Sequence, residues 1–249
     1  MCQPNLRGAS PITFVAGLQQ KGSRTLDDLL LLAGAVRRAV VPGETLLIGG
    51  MHRCSLFLVR FGLFKLCIAS EDGGERITGF RMSTDLLGVD NWGYSRYGCS
   101  AVAIEPGEVL EIPSRLIASN PDLQEALQVA VSREVNCCCA WDHAMSGTNP
   151  QQRLAAFFLD LATRHYAASM NPWELPLRAY WEQLGSVLGL SRGDVADAMS
   201  GLARDGLISG DRFEVEILDI DGLRQLAEPM QLLPRNYLQG PDNTFRAQL

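Results

Sequence analysis

The spacing of apolar and polar positions divides the chain into segments of different period. Behind Thr25, a capping residue, Leu26, Leu29, Leu30, Ala33 and Val36 recur at helical spacing, with Asp27 and Asp28 in the first turn. A short helix is predicted over residues 25–38. From Ala39 to Ile112 the texture changes to short apolar or alternating runs: Val40–Val41, Leu46–Ile48, Ser55–Ile68, Arg76–Phe80, Ser100–Ile104 and Val109–Ile112. Pro42-Gly43-Glu44, Asp72-Gly73-Gly74 and Pro106-Gly107-Glu108 punctuate them as turns. Many short strands separated in this way predict a β-sandwich or β-roll.

Helical spacing returns after Pro113. Asn120-Pro121-Asp122 opens a segment running to about Met145, in which Leu123, Leu127, Val131, Val135 and Cys138 follow one another at intervals of three or four. This reads as one long helix with an apolar seam. A seam between two domains needs a partner, and an identical helix is the simplest one. The expectation is a homodimer with Leu127, Val131, Val135 and Cys138 in its interface. Ser146-Gly147-Thr148-Asn149-Pro150 breaks the helix, and Gln151 to Tyr166 resumes with Leu154, Phe157, Phe158 and Leu161 on one face. The second domain begins here and ends near Met230. The remaining tail, with Pro234, Gly240 and Pro241, is expected to be a poorly ordered extension.

Within that second domain, Leu184, Val187 and Leu188 form one short apolar face. Gly189-Leu190-Ser191 makes a tight turn with Ser191 placed to cap, and Val195, Met199 and Leu202 form the next face. Two short helices across such a turn are a helix-turn-helix. A hairpin at Ser209-Gly210-Asp211-Arg212, between Gly206-Leu207-Ile208 and the run Phe213 to Leu218, makes it the winged variety.

Composition sets the scale. In 249 residues, 47% are hydrophobic and 20% charged, enough core for about two globular domains. A formal charge of −6, from 22 basic and 28 acidic residues, supplies no overall positive field for nucleic acid or anionic membrane. Met1 to Gly17 lacks an apolar run of signal-peptide length, and nothing approaches the ~20 apolar residues of a membrane span. The reading is a soluble cytoplasmic protein with no membrane partner. Seven cysteines, odd in number and irregularly spaced, suit thiols in a reducing compartment.

Several segments together resemble the CRP/FNR superfamily of bacterial transcription regulators, closest to its FNR branch. They are Gly62 with Lys65, Glu75-Arg76-Ile77-Thr78-Gly79-Phe80, Asp85-Leu86-Leu87-Gly88, Glu111-Ile112-Pro113, Gln152-Arg153-Leu154-Ala155-Ala156-Phe157 and Leu188-Gly189-Leu190-Ser191. The resemblance spans roughly residues 25–230. It implies an α+β fold: an N-terminal β-roll sensor domain like those that bind cyclic nucleotides, a long dimerisation helix and a C-terminal winged helix-turn-helix. The expected divisions are an extension over 1–23, the β-roll over 24–118, the helix over 119–146, the winged helix over 147–230 and a tail over 231–249. Implied partners are double-stranded DNA, a second copy of the chain, and RNA polymerase.

The chain departs from the family at its sites. Similar oxygen sensors hold an iron–sulfur cluster with an N-terminal cysteine group and one β-roll cysteine, four thiolates brought to one point. Here the N-terminal stretch has only Cys2, and the residue matching the β-roll ligand is Leu110. Similar cyclic-AMP receptors hold the phosphate with an Arg-Ser pair. The aligned positions are Tyr97 and Gly98, with Ser95 and Arg96 nearby. Both cofactors are argued against and the effector is left open.

In similar regulators a Glu in the first turn of the recognition helix and an Arg four residues later read base edges. Those positions are Gly193 and Asp197, the Ser that precedes the family Arg is Ala196, and Arg192 remains where CRP-like proteins carry an Arg. The residues expected to face DNA are Ser191, Arg192, Gly193, Asp194, Ala196 and Asp197. From Met145 onward there are nine Arg and no Lys against 13 acids, a net of −4. Two readings follow: a divergent operator read mainly through Arg192, which the resemblance favours, or loss of sequence-specific binding in favour of protein partners, which the acidic balance favours.

Other chemistries find less support. Consecutive helical residues Cys137, Cys138 and Cys139 point ~100° apart and cannot converge on one ion from one helix. Small apolar seam residues are the plainer reading, with a thiol redox role for Cys138 across a dimer as the sharper one. His52, His143 and His165 form no H-x-H or H-x₃-H pair, and His52 as a haem ligand is set against an ordinary loop histidine. No catalytic or metal site is expected. An enzyme is the weaker alternative, because no G-x-S-x-G, P-loop or dinucleotide fingerprint occurs.

Overall fold

In a computed structural model of the chain, the described residues are 26–135 and 149–227, apart from 71–72, 92, 122, 129–130, 133 and 168–169. Thr25, the expected cap of the first helix, lies outside them. Helix α1 (Leu26–Ala33) is shorter than its pattern predicts. Gly34, at φ +101°, ends it: the Gly34 and Ala35 amides close back on the carbonyls of Leu31 and Leu30. Val36, expected on a helical face, instead opens strand β1 (Val36–Val40) and is exposed.

Seven further strands complete two antiparallel four-stranded sheets: β2 (Thr45–Leu47), β3 (Ser55–Phe61), β4 (Phe64–Ala69), β5 (Glu75–Arg81), β6 (Leu86–Leu87), β7 (Ser100–Ala103) and β8 (Gly107–Pro113). Their orders are β1-β8-β3-β6 and β2-β7-β4-β5. The apolar run Ser55–Ile68 is two strands rather than one. It folds at Gly62, whose φ of +100° suits glycine, and a Cβ there would lie 2.7 Å from the Gly107 Cα. The hairpin thus passes from one sheet to the other.

Strand β3 is buried on both faces, which explains why its sequence is a continuous apolar run. Phe57 and Val59 point into the core between the sheets with Phe64, Leu66 and Val109. Leu56 and Leu58 point outward, where they meet Leu30, Leu110, Ile112 and the next long helix.

After the short α2 (Ser114–Ser119), helix α3 is described at 121, 123–128, 131–132 and 134–135. The described part of its seam faces the roll. Leu123, Leu127 and Val131 are 3%, 0% and 6% exposed and pack on Leu56, Leu58 and Ile112 of their own chain. The apolar stripe has a partner inside the molecule, and burying a Leu in this way contributes about 1.5–3 kcal/mol. Val135 is exposed, and Cys138 lies outside the described residues.

The C-terminal half runs α4 (Pro150–Ala167), β9 (Glu174–Pro176), α5 (Arg178–Leu188), α6 (Arg192–Arg204), β10 (Ile208–Gly210), β11 (Glu214–Ile217) and α7 (Ile220–Ala227). Leu154, Phe158, Leu175, Leu184, Leu202 and Val215 are fully buried together, and Leu223 brings in α7, a helix that the sequence pattern did not single out. The three strands form a small sheet ordered β10-β11-β9. Leu63 and Met82 of the roll belong to this same core, so the two halves share packing.

Candidate nucleic-acid interface

The geometry of the turn between α5 and α6 follows from three local features. Helix α5 ends on Gly189 in the left-handed region, φ +62°. Gly185 permits close approach: a Cβ there would lie 2.8 Å from the Leu190 carbonyl oxygen. Arg153 of α4 donates through Nη1 to the carbonyls of Leu188 at 2.9 Å and Gly189 at 3.4 Å. A cation at a helix C-terminus satisfies carbonyls that have no intrahelical partner.

Helix α6 opens with a capping box. The Ser191 Oγ accepts from the Asp194 amide at 3.1 Å, and the Asp194 carboxylate accepts from the Ser191 amide at 3.1 Å and hydroxyl at 2.7 Å. These bonds hold the Asp194 carboxyl below the usual carboxylate range. Of the six residues expected to face DNA, Ser191 and Asp194 therefore have their side chains committed to the cap. Arg192, Gly193, Ala196 and Asp197 remain outward and exposed. Arg192 Nη2 donates to Glu182 Oε2 at 3.0 Å, with side chains 86% and 67% exposed, so water screens the pair and leaves the guanidinium free to exchange partners.

The small sheet adds residues that sequence reasoning missed. The Leu177 and Arg178 amides donate to the Phe213 carbonyl at 2.9 and 3.2 Å, which ties the start of α5 to the tip of the hairpin. The exposed Phe213 ring lies 4.8 Å from the Arg212 guanidinium and 5.9 Å from that of Arg178. Asp211 at the tip accepts from the Phe213 and Glu214 amides at 2.7 and 3.3 Å, which engages its charge in the turn. The available signal was an Arg in the hairpin followed by an aromatic residue; its partner Arg178 is 35 positions earlier and comes into reach only through folding.

In the β-roll, the region aligned with the nucleotide phosphate site is already filled. The Asp90 carboxylate accepts from the Gly98 and Cys99 amides at 2.6 and 2.8 Å. Tyr97 is buried, and its hydroxyl donates to the Ser55 carbonyl at 2.8 Å. A carboxylate on those amides and a phenol where a guanidinium would stand do not fit a cyclic phosphate. Leu110, at the position of the β-roll cluster ligand, is a fully buried core residue. His52 sits in an exposed loop, paired to Arg96 through the backbone.

Cys54 is exposed, while Cys67 and Cys99 are buried and burial raises both of their thiols. Cys2 and Cys137 to Cys139 lie outside the described residues. Among the described residues, no group of three or more His, Cys, Asp or Glu is placed to hold a metal ion, and no helix is long and apolar enough to cross a membrane.

Comparison with known proteins agrees with this architecture. Residues 152–226 match the Crp-like helix-turn-helix domain and residues 37–119 the cyclic nucleotide-binding domain. The transcriptional regulatory protein btr of Bordetella pertussis is 34% identical over 176 residues, 69% of this chain and 73% of that protein. The transcriptional activator protein FnrA of Stutzerimonas stutzeri is 30% identical over 221 residues, 86% of this chain and 90% of that one. Among solved structures, FixK2 from Bradyrhizobium japonicum shares the fold with a TM-score of 0.67 at 18% identity, over 77% of this chain and 96% of that one. With both halves matched in order and full-length relatives at this identity, the chain belongs to the CRP/FNR family of transcription regulators and carries that family's helix-turn-helix DNA-binding domain.

Proposed function

We propose that the protein works as a homodimer that reads a two-fold symmetric DNA site, each subunit laying α6 in a major groove and setting α5 and the wing on the flanking backbone. The observation that carries this reading is the Arg178–Phe213–Arg212 stack, which concentrates two guanidinium groups on one exposed edge of an otherwise acidic half. Local cation placement, rather than net charge, determines phosphate contact. On α6, Arg192 supplies the base contact, and the small Gly193 and Ala196 let the helix backbone approach closely.

Dimerisation falls to the outward face of α3. Its inner stripe is committed to the roll, whereas Gln128, Ser132 and Val135 lie along the exposed side. Val135, 49% exposed, is the apolar contact that a second α3 would cover. The sensed signal is not a cyclic nucleotide phosphate, given Asp90 on its amides. RNA polymerase is the downstream partner this reading implies, since FnrA is named as an activator.

The exposed Asp197 on the same edge of α6 supports a second reading, in which specific DNA binding is lost and protein partners carry the function. Selection from random duplexes on the purified protein separates the two. Enrichment of a palindrome with half-sites one helical turn apart is expected; no enrichment at low salt would sink the first reading and leave the second.

A further inference from the structure

Where the roll, α3 and the C-terminal half meet, the chain places a set of charges that the reading above does not use. Arg164 of α4 donates through Nη1 to Asp85 Oδ2 at 2.6 Å and through Nε to Asp160 Oδ2 at 2.8 Å. Asp85 is on the roll, between β5 and β6, so the first of these bonds joins the two halves directly. Next to it, Arg81 at the end of β5 faces Glu134 of α3, Nε to Oε2 at 3.3 Å, with only 9% and 13% of the two side chains exposed. The other Glu134 oxygen lies 3.5 Å from the Leu86 amide, one residue beyond Asp85.

The turn that presents Asp85 is strained. Thr84 has φ +76°, a region that a β-branched residue occupies at a cost. Surrounding bonds enforce it: the Thr84 amide donates to the Val59 carbonyl at 2.9 Å, the Val59 amide to the Asp85 carbonyl at 2.9 Å, and the Met82 amide to Asp85 Oδ2 at 2.9 Å. Such a turn fixes its carboxylate in one direction. Around it, Phe80 packs edge-on to Tyr180 with centroids 4.9 Å apart, and the Ile77 amide donates to Ser186 Oγ at 3.4 Å. Burial of these rings supplies adhesion in proportion to the area covered, whereas a half-buried ion pair adds little net stability but demands one geometry.

We propose that Asp85 and Arg164 are positioning residues that fix the helix-turn-helix on the roll and so set the separation of the two recognition helices, with Arg81 and Glu134 linking that separation to α3. This rests on the homodimer reading and names how its site spacing is regulated. One added or removed base pair shifts a half-site by about 3.4 Å and rotates it by about 35°. A rigidly placed domain discriminates against that change, and an unlatched one follows it.

The test uses the full chain, the palindromic duplex from selection, and versions with one base pair inserted or removed at the centre. The parent is expected to lose about tenfold in affinity on either change, comparable to a mismatched base pair. In Asp85→Asn and Arg164→Gln the loss is expected to shrink below about threefold, while affinity for an isolated half-site stays within about twofold of the parent. A folded variant that keeps the parent's spacing preference, even with a lowered melting temperature, overturns the proposal, because the pair is then merely structural. If Asp85→Asn does not fold, Arg164→Lys, which keeps the charge and loses the planar fork, is read the same way. If the parent selects no palindrome, the DNA reading itself fails, and the latch with it, since there is then no spacing to set.

Discussion

Replacing Arg178 by Ala removes one arm of the stack on Phe213 while leaving Arg212 4.8 Å from the ring. Arg178 is exposed and its amide bond to Phe213 is backbone, so the fold should lose little more than an exposed cation–π contact of about 0.5 kcal/mol. The DNA effect is larger. If Arg178 and Arg212 each meet one phosphate, a dimer neutralises about four, and the slope of log K against log salt is about −3.6. Losing Arg178 from both subunits lowers its magnitude by about 1.8. Over a rise from about 50 to 200 mM salt, the parent then loses about twelvefold more affinity than the variant. Fluorescence anisotropy with the selected duplex at several salt concentrations measures both slopes. A folded variant with the parent's slope would refute the placement of α5 on the backbone.

Three further outcomes follow from particular contacts. Ser191→Ala removes the hydroxyl side of the capping box and should cost about 1 kcal/mol in thermal unfolding, with DNA affinity falling as the first turn of α6 frays. Leu127→Ala should destabilise the chain by about 2–5 kcal/mol in denaturant titration at fixed protein concentration, because that side chain is 0% exposed within one subunit; a shift confined to the dimer dissociation constant would return it to the interface. Burial lowers the His165 imidazole below its usual value, against the opposing effect of the Asn171 carbonyl. A depressed folded value means its contribution is complete above about pH 6.5 and is lost as pH falls through the folded value, so parent and His165→Gln melting temperatures should converge toward acid. Parallel curves from neutral to acid pH would contradict this.

The strands and the helix-turn-helix were legible because local period and local turn chemistry decide them. Gly189 with Ser191 marks its turn without any distant contact, and Pro106-Gly107 marks the start of β8. Contacts between residues distant in sequence are the part that local pattern does not show. The Leu123, Leu127, Val131 stripe has the spacing of a dimer seam, and spacing alone does not reveal that it packs on the outward face of β3. Within Ser55–Ile68 the local sign of the bend is Gly62, although the apolar residues on both sides of it continue the run. At the site, Asp194 stands on the exposed edge expected to face DNA, and only the folded geometry shows its carboxylate turned back to cap its own helix. The Asp85–Arg164 pair, 79 residues apart, has no sequence signature at all.

The most direct test of a homodimer reading DNA through α6 and the wing is hydroxyl-radical footprinting of the parent on its selected duplex. Two protected backbone patches on one face, centred about 34 Å apart and flanked by wing contacts that vanish in Arg212→Ala, are predicted. A single protected patch, or protection that is unchanged in Arg212→Ala, would contradict it.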